Sequence, residues 1–171
     1  MSDDVVDVRV ETPKGSRSKY EWDHDRGGLR LDRRLYSATV FPADYGYVAE
    51  TKGADGEALD ALILSEDGTF PGCWVRARPI GVFWIIYADE GDGNGETREA
   101  KIVAVPDQDP DWEEVRDLAD LPKHQLDEIS HFFEIYKDLE PSRTPSSGGY
   151  DGRPAALQVI SESRVQRADG A

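Results

Sequence analysis

The 171-residue chain holds one cysteine, one methionine and three histidines, so the ligands that soft and borderline metals prefer are almost missing. A disulfide framework is excluded, because Cys73 has no partner within the chain. Its place in the apolar stretch Cys73-Trp74-Val75 predicts a buried thiol rather than a nucleophile. His24, His124 and His131 are too scattered for a His-based metal site, and His24 and His124 are expected at the surface. Basic charge is also scarce: 20 Lys and Arg face 35 Asp and Glu, a net charge of −15. That balance speaks against a surface that follows nucleic-acid phosphates. Any anionic ligand therefore needs a local basic cluster or bound cations. No apolar run approaches the roughly 20 residues of a membrane span, and Met1-Ser2-Asp3-Asp4 lacks the basic and then apolar pattern of a secretory signal. Neither a nucleic-acid nor a membrane partner is expected, and the expected location is cytoplasmic.

With 38% hydrophobic and 32% charged residues, the composition fits one globular domain over 1–171 with a heavily solvated surface and a frayed end at 166–171. Val6, Val8 and Val10 alternate as in a half-buried strand. Residues 18–22 and 29–36 read as two more strands, joined by the turn Asp25-Arg26-Gly27-Gly28. Residues 38–41 form another apolar stretch, ended by Pro42. Strands are predicted over 61–64, 73–78, 80–87 and 101–105, with Pro79 separating two of them. After Pro106 the pattern changes. Asp109-Pro110 opens a short helix to about Leu118. Leu126, Ile129, Phe133 and Tyr136 mark the apolar face of the strongest helix, between Pro122 and Pro141. Residues 141–149 read as a loop and 154–165 as a last helix. Strands first and helices after predict an α+β domain with an antiparallel sheet rather than alternating α/β.

The chemistry concentrates in Asp55-Gly56-Glu57-Ala58-Leu59-Asp60, which passes into the apolar run Ala61-Leu62-Ile63-Leu64. Three carboxylates this close repel, so they protonate, splay into solvent or share a cation. Oxygen donors without His or Cys suit a hard ion such as Mg²⁺ or Mn²⁺. A polar turn in an acidic chain is the plainer alternative. A second acidic, Gly-rich loop over 89–99 carries Asp89, Glu90, Asp92, Glu96 and Glu99. Its Asp92-Gly93-Asn94-Gly95-Glu96 opens like an EF-hand calcium loop, but Thr97 and Val103 stand where that motif needs Gly and Glu. Near strand and helix ends stand Lys19, Arg33, Tyr45, Lys101, Tyr136 and Lys137. Singly, each is a surface charge or a core-edge tyrosine. With the carboxylates they suit a polyanion held between cations, as phosphoryl transfer requires.

Further blocks follow one order: Lys19-Tyr20-Glu21, Asp32-Arg33, Phe41-Pro42 through Tyr45-Gly46-Tyr47, and Arg78-Pro79-Ile80-Gly81-Val82. Ala100-Lys101-Ile102-Val103-Ala104-Val105-Pro106, His131-Phe132-Phe133-Glu134 and Tyr136-Lys137-Asp138-Leu139-Glu140 complete it. Together with the stretch 55–60 they resemble family I inorganic pyrophosphatases of the short bacterial type, from about Val6 to Glu140. The resemblance implies a small antiparallel five-stranded closed β-barrel, OB-like, with two or three helices packed outside. It implies a hydrolase of phosphate metabolism that acts on pyrophosphate with Mg²⁺, or Mn²⁺, as cofactor. A homo-oligomer, commonly a hexamer, is also implied, with Trp84-Ile85-Ile86 and His131 as candidate contacts.

Carried over by position, the resemblance makes Asp55, Asp60 and Asp89 metal ligands, with Glu99 where the family has another ligating Asp and Asp92 as its competitor. Glu57 stands for the signature Asp that helps deprotonate the attacking water, so Glu57, Asp55, Asp60 and Asp89 form the implied catalytic set. Lys19, Arg33, Tyr45, Lys101, Tyr136 and Lys137 would bind pyrophosphate oxygens, and Glu11 and Glu21 would line the cavity. Ala58 replaces the usual proline, Glu99 replaces Asp, and the acidic loop is longer. The extra methylene of Glu57 moves its carboxylate by about a bond length, on a scale where about 1 Å can cost roughly a hundredfold in rate. Two alternatives follow: a weak or re-purposed homologue, and a metal-binding barrel without chemistry.

Overall fold

The computed structural model describes residues 4–88, 95–141 and 145–165. Among them are eight strands: β1 (Val6–Thr12), β2 (Ser18–Asp23), β3 (Gly28–Arg34), β4 (Asp44–Val48), β5 (Asp60–Ile63), β6 (Trp74–Ala88), β7 (Glu96–Pro106) and β8 (Ser146–Gly152). Two α-helices accompany them, α1 (Lys123–Ile135) and α2 (Arg153–Ser163). β1 buries Val6, Val8, Val10 and Thr12, as the alternation predicts. Both of its edges are taken, by β4 and by β6. β4 continues to β5, β5 to β7, and β7 returns to β6, so five strands close a ring in the order β1-β4-β5-β7-β6. Four joins are antiparallel. The β5–β7 join is parallel, a departure from the all-antiparallel barrel expected.

β6 is one strand where two were expected. The register shift between Pro79 and Gly81 in its pairing with β7 absorbs the missing proline N–H as a bulge instead of ending the strand. Its length lets one edge carry β7 while the other carries β1 and then β8. β8 lies in the expected loop. A side chain at Gly148 would meet Trp84 Cβ at 2.9 Å, so the glycine that made this segment read as a loop is what lets it approach β6. The β2–β3 hairpin turns through Gly27 at φ +65°, as expected.

The short helix expected after Asp109 is two 3₁₀ turns, Pro110–Trp112 and Leu118–Asp120, capped by Asp109 and Asp117. The buried Arg78 guanidinium donates to the Trp112 and Val115 carbonyls at 2.8 and 3.1 Å, groups that a continuing helix would have used itself. The apolar stretch at 38–41 is no strand, yet its Phe41 is wholly buried against Phe132 of α1. Cys73 is only partly buried, contrary to expectation, because it sits in the turn before β6 beside the half-exposed Trp74.

Alternate residues of the same strands feed two cores. Leu62, Phe83, Ile85, Val103 and Val105 pack with Ile129, Phe132 and Phe133 of α1. Ala61, Ile63, Val82, Ile102 and Ala104 pack with Ala156 and Ile160 of α2. No helix among the described residues is long and apolar enough to cross a membrane.

Candidate active site

The strand face that α1 covers turns polar toward one end. Because residues two apart share a face, Leu64 and Leu62 lead to Asp60 on β5, and Val105 and Val103 to Lys101 and Glu99 on β7. On β6, Phe83 and Ile85 lead to Tyr87. These ends line a cavity of about 540 Å³. Glu11 of β1 and Tyr45 of β4 line it too, as do Lys19, Glu21 and Arg33 of the hairpin and Tyr136 and Lys137 just after α1. Asp55 and Glu57 complete the lining from an exposed turn, in which the Glu57 N–H donates to Asp55 Oδ1 at 3.0 Å.

Strand register sets the charge centre. Asp60 and Lys101 are partners across the parallel join. The Lys101 ammonium, in a residue only 4% exposed, donates to the Asp60 carboxylate and, at 3.4 Å, to Glu99. Burial works against that charge, but Asp60 and Glu99 outweigh it and hold the ammonium above its ordinary range. On the hairpin, Lys19 and Arg33 face each other directly, an arrangement that repels. Acids offset it: Glu21 lies 2.6 Å from Lys19, and Asp32 lies 2.6 Å from Arg33 and 3.4 Å from Lys19. Glu140, in the segment after α1, accepts from Arg33 Nε at 2.9 Å.

Burial, reinforced by Asp60, raises the Tyr45 phenol well above its usual range, and burial raises Tyr136 as well. Both therefore stay protonated donors. Burial lowers Lys137, with Arg33, Lys19 and Lys101 adding to the effect. Burial pushes the Glu11 carboxyl up to about 7, with the Trp22 N–H opposing and Asp60 adding.

Among the described residues no three acidic, His or Cys side chains close around one point as they would on an ion. Asp89 and Asp92 lie outside the described residues. The donor set nevertheless fits a hard divalent cation. Asp55, Asp60 and Glu99 line the same cavity with oxygen donors alone, joined there by Glu11, Glu21 and Glu57. Of the remaining expected site residues, all twelve that are described line the cavity. Trp22, His24, Arg30, Tyr47 and Tyr87 line it unforeseen, although the two-residue spacing from Ile85 already pointed to Tyr87. His24 is exposed as expected, yet it borders the site. Of the expected contact residues, Ile85 is core and His131 is exposed.

The profile of the inorganic pyrophosphatase family matches residues 8–168. The inorganic pyrophosphatase of Streptomyces coelicolor is 46% identical over 157 residues, 92% of each chain. That of Halalkalibacterium halodurans is 44% identical over 158 residues, again 92% of each chain. The solved inorganic pyrophosphatase of Helicobacter pylori superposes with a TM-score of 0.85 at 40% identity, covering 94% of this chain and 92% of that one.

Proposed function

This chain belongs to the inorganic pyrophosphatase family, and on that premise we propose how its cavity splits pyrophosphate into two orthophosphates. It is an enzyme, an inorganic diphosphatase. The observation that carries the reading is the meeting, in one cavity, of Lys19, Arg33, Tyr45, Lys101, Tyr136 and Lys137 with Asp55, Glu57, Asp60 and Glu99. A net charge of −15 repels a polyanion from the chain as a whole, so its binding needs such a local basic cluster. Lys101, kept protonated by Asp60, and Arg33, kept in place by Glu140 and Asp32, meet phosphate oxygens with fixed positive charge. Tyr45 and Tyr136 donate neutral O–H groups, and the Lys19 and Lys137 ammonium groups bind pyrophosphate oxygens. Glu57, exposed beside Asp55, takes the proton of the attacking water.

Divalent cations, Mg²⁺ foremost and Mn²⁺ as the substitute, would be held by Asp55, Asp60, Asp89 and Glu99 and would supply Lewis-acid charge neutralisation and a more acidic water. A cytoplasmic location and a homohexamer complete the proposal. The exposed Phe70 and Trp74 supply apolar surface for assembly, and light scattering should return six times the mass of one chain. The decisive assay is colorimetric: purified protein with pyrophosphate should release phosphate when Mg²⁺ is added. A flat trace with Mg²⁺, Mn²⁺ and Ca²⁺ alike would end the reading.

A further inference from the structure

Tyr87 ends the cavity-facing side of β6, in line with Phe83 and Ile85, and its ring lines the cavity. Lys137 enters the same cavity from the segment after α1 on a flexible four-carbon stem. Its ammonium lies 5.3 Å from the Tyr87 ring centroid and 5.4 Å from that of Tyr136, within cation–π reach of both. Tyr136 is its chain neighbour, buried against Phe132 and Phe133 of α1. Tyr87 belongs to the barrel, on β6. The two phenol groups also interact with each other, so the pair forms one support. Arg33, Lys19 and Lys101 repel the ammonium and Glu140 attracts it, so its direction depends on what holds it from the barrel side.

We propose that Tyr87 is a positioning residue for pyrophosphate: with Tyr136 it brackets the Lys137 ammonium and fixes it over the cavity, where it meets a phosphate oxygen. This role rests on the pyrophosphate reading of the cavity. A Tyr87 that merely fills space would matter to folding but not to the charge that Lys137 delivers.

The test compares Tyr87→Leu and Tyr87→Phe, each alone and combined with Lys137→Met, by steady-state kinetics on pyrophosphate and by calorimetric titration with imidodiphosphate. Tyr87→Leu should raise KM and weaken imidodiphosphate binding about 10-fold while leaving kcat within about twofold. Tyr87→Phe keeps the ring face and should recover to within about threefold of wild type. In the Lys137→Met background, Tyr87→Leu should add less than about twofold, since the group it positions is gone. If the leucine variant fails to fold, Tyr87→Met, close in bulk and equally without a π face, takes its place. Full additivity with Lys137→Met, or unchanged KM and imidodiphosphate affinity in a folded Tyr87→Leu or Tyr87→Met, overturns the proposal and leaves the pyrophosphate reading intact. A wild-type protein that neither cleaves pyrophosphate nor binds imidodiphosphate defeats that reading, and the role of Tyr87 with it.

Discussion

Glu11 gives the clearest pH signature in the molecule. Its Oε1 accepts the Trp22 N–H at 2.7 Å, yet burial lifts the carboxyl from 4.5 to about 7. Between those values the folded protein keeps a proton that the unfolded chain has already released. Stability therefore falls as pH rises from about 4.5 to about 7, and then levels. The displacement corresponds to at most about 3 kcal/mol. Residual contact with water brings the working figure to about 2 kcal/mol. Glu11→Gln removes the titration while leaving an oxygen for the Trp22 N–H. Urea unfolding of the metal-stripped protein, at fixed concentration near pH 5 and near pH 8, should show wild type losing about 2 kcal/mol relative to the variant between the two. A difference that stays constant within about 0.5 kcal/mol would show that Glu11 ionises in the folded protein as it does in the unfolded chain.

Three further changes probe other parts of the argument. Lys101→Met leaves Asp60 and Glu99 facing each other without their cation. It should reduce activity at least about a hundredfold and destabilise the metal-free protein by about 1–2 kcal/mol, with added Mg²⁺ raising its Tm more than that of wild type. Calorimetry with and without Mg²⁺ checks this, and equal metal-induced shifts would contradict it. Glu57→Asp should raise kcat several-fold in the phosphate-release assay if the longer side chain misplaces the proton acceptor. A fall would mean the pocket is shaped around glutamate. Gly46→Ala would put a Cβ 1.8 Å from the Arg9 carbonyl oxygen on the neighbouring strand. The β1–β4 join must open to admit it, so a loss of about 3 kcal/mol in urea unfolding is expected.

Much of the molecule was legible from local pattern. The alternation of Val6, Val8 and Val10 announces β1, and the spacing of Ile129 and Phe133 announces the buried face of α1. The blocks around Lys19, Arg33, Tyr45, Lys101 and Lys137 announced a common site, and the structure brings them to one cavity. What stayed hidden depends on partners far away in the chain. β8 exists because β6 has an edge to offer, and Pro79 continues a strand because a bulge forgives its missing N–H. The parallel direction of β5 and β7 follows from ring closure, which no local window contains. Glu140 sat inside a matching block, but its hold on Arg33 shows only once the hairpin has folded back onto the segment after α1. The place of Tyr87 on the strand face is implied by Phe83 and Ile85, but only the closed ring makes that face a cavity wall.

The pairing of Asp60 with Lys101 makes the seam of the ring and the electrostatic heart of the enzyme the same piece of structure. A slip of a single residue there would set Ala100 or Ile102 beside Asp60 and swing Lys101 to the opposite surface. Half-assembled molecules should accordingly be inert, not sluggish. During refolding, hydrolysis should begin only when the final strand docks, with no early burst beforehand.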